Sequence, residues 1–284
     1  MKSIAISGAS GFVGQHLTQF FNDQGYNVIK IERKDLKNLN TLTQKLEGTE
    51  ALINLAGANI LQRWSKAYKK ILYSSRIDTT KSLVEAMSKT QNPPKVFIST
   101  SAIGIYKDNK AYDETSDTFE NNFLANLCKD WEFEAKKAEK INVRTVICRF
   151  GIVLSSDGGA LQRMIPPFKL GLGGIIGTGQ QSVSFIHIED LKRFYFHALT
   201  NNEVAGIYNM TTAYPTTNRS LTKALGKALN RPTILPLPTF IVRLIFGEGA
   251  SILTQGQSIR PKRVLESGFK FKFETIDEVL NDLL

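Results

Sequence analysis

Ile4-Ala5-Ile6-Ser7-Gly8-Ala9-Ser10-Gly11-Phe12-Val13-Gly14 carries the pattern that decides this sequence. An apolar run of strand type enters three glycines spaced G-x-x-G-x-x-G. Phe12, Val13, Leu17, Phe20 and Phe21 then recur at helical spacing, which predicts an amphipathic helix over about residues 11–24. Strand, glycine turn and helix together are the setting in which such glycines bind a dinucleotide. The first glycine permits a tight turn, the second lets a pyrophosphate approach the backbone, and the third lets helix and strand pack closely. The helix N-terminus points free N–H groups and its positive dipole end at the anion. Gly8, Ser10, Gly11, Phe12, Val13 and Gly14 are therefore candidate cofactor contacts.

Working outward, Asn27 to Ile31 reads as a second strand, followed by Glu32-Arg33-Lys34. An acid about 20 positions past the glycines holds ribose hydroxyls, and Glu32 fits that role. A cation at the same spot holds a 2′-phosphate, and Arg33 and Lys34 fit that one. Two cations and the Ser10 hydroxyl tilt the reading to NADP(H), with NAD(H) still open. Leu39 to Leu46 predicts a short helix. Ala51 to Gly57 predicts a buried strand whose small-residue end, Leu55-Ala56-Gly57, lets backbone approach the cofactor. One helix is expected over about residues 65–88, with Arg76 in its middle. The next strand, residues 95–99, opens into the hydroxyl-rich end Ser99-Thr100-Ser101, at the sheet edge where ligands sit in such folds. A helix over residues 122–141 and a strand over 144–149 continue the alternation. The fold class expected is α/β: a Rossmann-type, doubly wound parallel sheet.

Past residue 150 the character changes. A flexible glycine-rich region is expected from Pro166 to Gly179, its part from Leu170 acting as a lid. A strand at residues 184–188 leads into a helix. Another strand covers 207–210, Asn218 is expected to cap a helix over about 219–229, and residues 269–271 can form a short strand. The division expected is a cofactor-binding domain over 1–155, rejoined by segments around 180–200, and a smaller C-terminal α/β substrate lobe over 156–284.

The 284 residues carry a formal charge of +10. The lysines are dispersed at helix-face positions without a basic block, so a solvated surface is expected rather than a nucleic-acid footprint. No run of about 18 uncharged apolar residues occurs, so no transmembrane helix is expected. The strand begins directly after Met1-Lys2, which leaves no room for a signal peptide and predicts the cytoplasm. Two cysteines and three scattered histidines support neither a disulfide framework nor a metal site. The expected partner is a small-molecule substrate, with no nucleic acid and no membrane. A homodimer stays open.

Taken with the later blocks, the chain resembles the extended short-chain dehydrogenases/reductases. More narrowly, it is similar to the atypical epimerase-like family with a small C-terminal domain of unknown function. The blocks that carry the likeness include Gly8 to Gly14, Asn54-Leu55-Ala56-Gly57, Ser74 to Thr80, Ser99 to Tyr106, Leu127 to Glu132, Arg149 to Leu154, Ile165 to Phe168 and Ile186 to Asp190. The resemblance implies NADP(H), a Rossmann-type domain and a C-terminal lobe closing a substrate cleft. It also implies a phosphate contact for Arg76 and cofactor contacts at Ser99, Gly151 and Ile152.

Typical members of that superfamily use a Ser with a Tyr-x-x-x-Lys pair on one helical face. Ser101 matches the serine. Where the pair belongs, this chain has Cys128-Lys129-Asp130-Trp131-Glu132. Tyr106 is then a candidate substitute acid. Cys128 is read either as a proton donor or as a small buried residue, and Glu132 as a base or a solvated carboxylate. Arg149 either binds phosphate or carboxylate, or forms an ion pair at the sheet edge. His187 fits a structural role. Two functions follow: hydride transfer on a small carbonyl or hydroxyl compound, by an oxidoreductase or epimerase, or an NADP(H)-binding sensor that has lost turnover.

Overall fold

The computed structural model describes residues 2–108 and 110–284. Six parallel strands form the central sheet: β1 (Ser3–Ser7), β2 (Asn27–Ile31), β3 (Ala51–Asn54), β4 (Val96–Ala102), β5 (Arg144–Phe150) and β6 (Gly206–Met210). Their order is β6-β5-β4-β3-β1-β2. The chain runs outward from β1 to β2, then crosses back to place β3 on the other side of β1. That reversal makes a switch point, and the crevice beyond the carboxyl ends of β1 and β3 is where such sheets take ligands.

Alternation along each strand divides the core into two layers. Ile4, Ile6, Ile53, Ile98 and Val146 face one side, where they meet Leu17 and Phe21 of α1 (Phe12–Asp23). On the same side they meet Leu191, Phe194 and Tyr195 of α7 (Ile188–Thr200). Ala5, Leu52, Phe97 and Ile147 face the other side. There they pack on α2 (Leu39–Leu46), α4 (Ile77–Met87) and α5 (Phe123–Lys136). A strand buried on both faces reads as a continuous apolar run, which is how β1 and β3 look in the sequence.

A separate cluster gathers the C-terminal elements. Leu161 and Phe168 of α6 (Gly159–Lys169) join Leu221 and Leu225 of α8 (Asn218–Ala228) and Val279 and Leu280 near the C-terminus. This cluster is tied to the sheet through Asp190 at the start of α7. Its fully buried carboxylate accepts the backbone N–H groups of Lys272 and Phe273 at 2.8 and 2.9 Å, and Arg193 at 2.8 Å. No helix among the described residues is long and apolar enough to cross a membrane.

Several local expectations are corrected. The helix expected over residues 65–88 is two, α3 (Lys66–Ser74) and α4, separated where Arg76 turns its guanidinium back to Leu72 and Ala58. Pro166 and Pro167 lie inside α6, because Leu161 and Phe168 anchor one helical face across them. Thr217, not Asn218, caps α8. Asn218 Oδ1 instead accepts the N–H of Ile176 at 2.9 Å. The glycine-rich segment is also paired by its backbone to Leu237, on both sides of Ile176. Residues 269–271 form no strand. Phe269 turns inward, its ring 5.6 Å from that of Phe194.

Candidate functional site

Gly8 ends β1 at φ +80°, a conformation that L side chains rarely adopt. A Cβ there would lie 2.8 Å from the Leu55–Ala56 peptide, so the loop after β3 sits directly on the glycine turn. The Gly11 N–H closes that turn onto the Gly8 carbonyl at 3.0 Å. A Cβ on Gly14 would collide with the same carbonyl and with Ala9, so the third glycine sets the approach of α1. Gly11 differs: only the Gly8 carbonyl, at 3.3 Å, comes near its missing Cβ. Gly11 is also the N-cap of α1, with no side-chain cap and no acid in the first turn. The helix start, at Phe12 and Val13, thus offers N–H groups and a positive dipole end to an anion. Ser10 is exposed in the turn. The Phe12 ring lies over Gly158 and Gly159, where any side chain would meet it.

At the end of β2, Lys34 pairs with Glu32 at 2.7 Å. Arg33 is exposed and makes no ion pair among the described residues. Glu32 thus has a cation beside it, while Arg33 stays available. Arg76 likewise makes no ion pair among the described residues. It donates to the carbonyls of Leu72 and Ala58 at 3.2 and 3.0 Å, lies over the Trp131 ring, and fills the space a Gly57 side chain would need. Burial pulls its pKa down, since no carboxylate repays the lost hydration.

Beyond the glycine turn, the ends of β4 and β5 hold a buried polar chain. The Ser101 hydroxyl donates to Glu132 Oε1 at 2.7 Å. Arg149 grips Glu132 with two bonds, Nε to Oε1 at 2.7 Å and Nη2 to Oε2 at 2.8 Å. Its Nη1 donates to the Tyr106 hydroxyl at 2.7 Å. That hydroxyl lies 3.1 Å from both the Asp113 carbonyl and Asn209 Oδ1. Burial pushes the Tyr106 pKa up, only partly offset by Arg149. Cys128, one turn before Glu132 on α5, is buried, and its thiol is pushed up to about 12, chiefly by desolvation and then by Glu132. It therefore stays a thiol at neutral pH.

The structure thus brings together Ser101, Tyr106, Cys128, Glu132 and Arg149. Glu132 is buried rather than solvated, and Arg149 pairs with it. Ser99 lies buried in β4, its hydroxyl without a hydrogen-bond partner among the described residues. Gly151 and Ile152 donate their N–H groups to Met210 and Ser184, and a Gly151 Cβ would lie 2.6 Å from the Ser184 carbonyl. His187 accepts the Glu189 N–H at the start of α7 and stacks on Phe273, a structural role. Asn209 was not picked out from the sequence. Its signal was an amide in the middle of the apolar stretch Ile207-Tyr208-Asn209-Met210.

Residues 4–211 match the NAD dependent epimerase/dehydratase family. The chain belongs to that family. Residues 237–283 match a domain of unknown function, DUF1731. Among curated relatives, the epimerase family protein SDR39U1 of Mus musculus is 36% identical over 99% of both chains. The epimerase family protein YfhF of Bacillus subtilis is 34% identical over 99% of this chain and 98% of its own. Among solved structures, human epimerase family protein SDR39U1 (isoform 2) with NADPH superposes with a TM-score of 0.91 at 34% identity, covering 99% of this chain and 98% of that one. A Bacillus cereus UDP-glucuronic acid 4-epimerase, at 19% identity and a TM-score of 0.79, shares the fold, covering 99% and 97% of the two chains.

Proposed function

We propose that this chain binds NADP(H) and acts as an oxidoreductase or epimerase on a small carbonyl or hydroxyl compound. The observation that carries the cofactor is the pairing at the end of β2: Lys34 engages Glu32 and leaves Arg33 to meet a 2′-phosphate. The open N-terminus of α1, behind Gly8, Gly11 and Gly14, fits the pyrophosphate, and the NADPH of the human relative supports the same choice. Leu55, Ala56 and Gly57 would form the wall beside it, with Arg76 as a further phosphate contact. A bound nicotinamide would supply hydride transfer.

This chain's own residues orient and hold protons. Ser101 gives its proton to the Glu132 hydrogen bond, which turns its lone pairs toward a donor such as a substrate hydroxyl. Arg149 fixes Glu132 in place with its two hydrogen bonds. Tyr106 is spent among Arg149, Asn209 and Asp113, and Cys128 holds its proton too tightly for exchange at neutral pH. Residues 156–284, apart from the returning strand and helix, would form the substrate side of the cleft.

One observation favours a second reading. Cys128 and Glu132 stand where a Tyr and a Lys serve typical family enzymes, which suits an NADP(H) sensor without turnover. Fluorescence titration with NADPH and NADH, followed by NADPH consumption against a carbonyl panel, separates the readings. Tight NADPH binding with consumption supports the enzyme. Tight binding with no consumption across the panel supports the sensor. Failure to bind either nucleotide sinks both.

A further inference from the structure

Residues 158–188 and 204–247 contain no Asp or Glu, yet carry seven Lys or Arg. Among the described residues, those stretches also hold the most exposed large apolar side chains. Phe240 and Leu244, on α9 (Thr239–Phe246), are 70% and 71% exposed, and Ile234, on the connector before it, is 82% exposed. Leu170 and Leu172 stand out from the glycine-rich segment.

These residues belong to one surface. The Leu237 N–H bonds to Ile175, and the Gly177 N–H bonds back to Leu237 at 3.0 Å. Arg231 Nε donates to the Lys169 carbonyl at 2.9 Å. A Cβ on Gly177 would touch Thr239, the first residue of α9. Lys169, Arg231 and Arg243 are exposed and interleave in sequence with the apolar residues.

We propose that this face docks peripherally on a bilayer leaflet of anionic lipids. Apolar side chains project where acyl chains begin, and cations stand beside them at headgroup depth, the arrangement of interfacial helices. Each cation near such a surface adds attraction that salt weakens. A second copy of the chain fits poorly, since its Lys169 and Arg231 would meet these at close range, while the nearby carboxylates Asp108 and Glu248 lie in the depression beside Arg243. A nucleic acid would reward the cations but not Ile234, Phe240 and Leu244. This departs from the expectation of no membrane partner, because the surface only becomes visible once the connector and the glycine-rich segment are seen to pair.

The test is flotation of the full chain with vesicles of phosphatidylglycerol plus phosphatidylcholine, and with phosphatidylcholine alone. Binding to the anionic vesicles should be at least about tenfold tighter and should fall with added salt. Phe240→Asp with Leu244→Asp should abolish it. Lys169→Glu with Arg231→Glu, which leaves the apolar residues in place, should weaken binding to anionic vesicles by about tenfold or more. Thermal melting of each variant reports folding, and the charge pair keeps the test alive if the apolar pair unfolds. No vesicle binding overturns the proposal. So does salt-sensitive binding to duplex DNA that the Phe240/Leu244 change leaves intact, or self-association that the same change removes.

Discussion

Arg149 holds Glu132 through two parallel hydrogen bonds, and both side chains are cut off from solvent. Glu132 sits four residues after Cys128, so the polar partner on this helix face is an anion, and its cation comes from the neighbouring strand β5. Removing one member strands the other. Glu132→Ala should cost about 3–5 kcal/mol in urea unfolding, because Arg149 is left buried and unpaired. Glu132→Leu together with Arg149→Met should recover most of that loss. A double variant as unstable as the single one would contradict the pairing as the cause.

Gly11 and Gly14 should separate binding from folding. The Gly14→Ala side chain meets backbone that cannot move aside, so it should destabilise by about 1–3 kcal/mol. The Gly11→Ala side chain meets only the Gly8 carbonyl, at 3.3 Å, so it needs a shift of a few tenths of an ångström at most and should lower the melting temperature less than Gly14→Ala does. It should still weaken NADPH binding by an order of magnitude or more, because its methyl group occupies the approach to the N-terminus of α1. NADPH titration of both variants reads this. A Gly11→Ala protein with native affinity would place the pyrophosphate elsewhere.

Arg33→Ala should weaken NADPH by about tenfold to a hundredfold while leaving NADH affinity unchanged, as befits one lost charge-assisted hydrogen bond. Lys34→Ala should do less to NADPH, since it frees Glu32 to repel the phosphate only through exposed charges. If Arg33→Ala affects both nucleotides equally, the selectivity does not reside at that residue.

Alkaline pH should unfold this protein early. Burial raises the thiols of Cys128 and Cys148 above their ordinary value of 9.0, Cys128 to about 12, and raises the hydroxyls of Tyr106 and Tyr195 as well. The unfolded chain gives up those protons at lower pH than the folded one. The stability held in the protonated thiols is thus complete below about pH 9 and drains away as pH climbs toward 12, at about 1.4 kcal/mol per pH unit for each thiol. Urea midpoints at a series of pH values measure the slope. Cys128→Ala should flatten it, and an unchanged slope would exclude that thiol as a source.

The sheet was legible because fully buried parallel strands write themselves as apolar runs, and Gly8, Gly11 and Gly14 mark the turn that β1 must make. The site was only half legible. Ser101 and the departure at Cys128 and Glu132 can be read locally. The Arg149–Glu132 bond joins residues 17 apart, and the Tyr106–Asn209 bond joins residues 103 apart. No local pattern specifies those. Pro166 and Pro167 misled in the other direction, since their local preference yields to the burial of Leu161 and Phe168. The glycine-rich segment misled likewise, because the partners of its backbone lie more than 40 residues downstream at Asn218 and Leu237.

Asp190 sets a condition on inheritance. It belongs to the stretch matched by the epimerase family, but its carboxylate is satisfied by the backbone of Lys272 and Phe273, within the stretch matched by the second domain. Any exchange of the C-terminal region for a different tail must deliver two N–H donors to the same buried point. Otherwise the buried carboxylate keeps only Arg193 and loses two of its three donors. The two matched stretches therefore share one buried hydrogen-bond network, and a chain cut between them should lose stability in its N-terminal part as well.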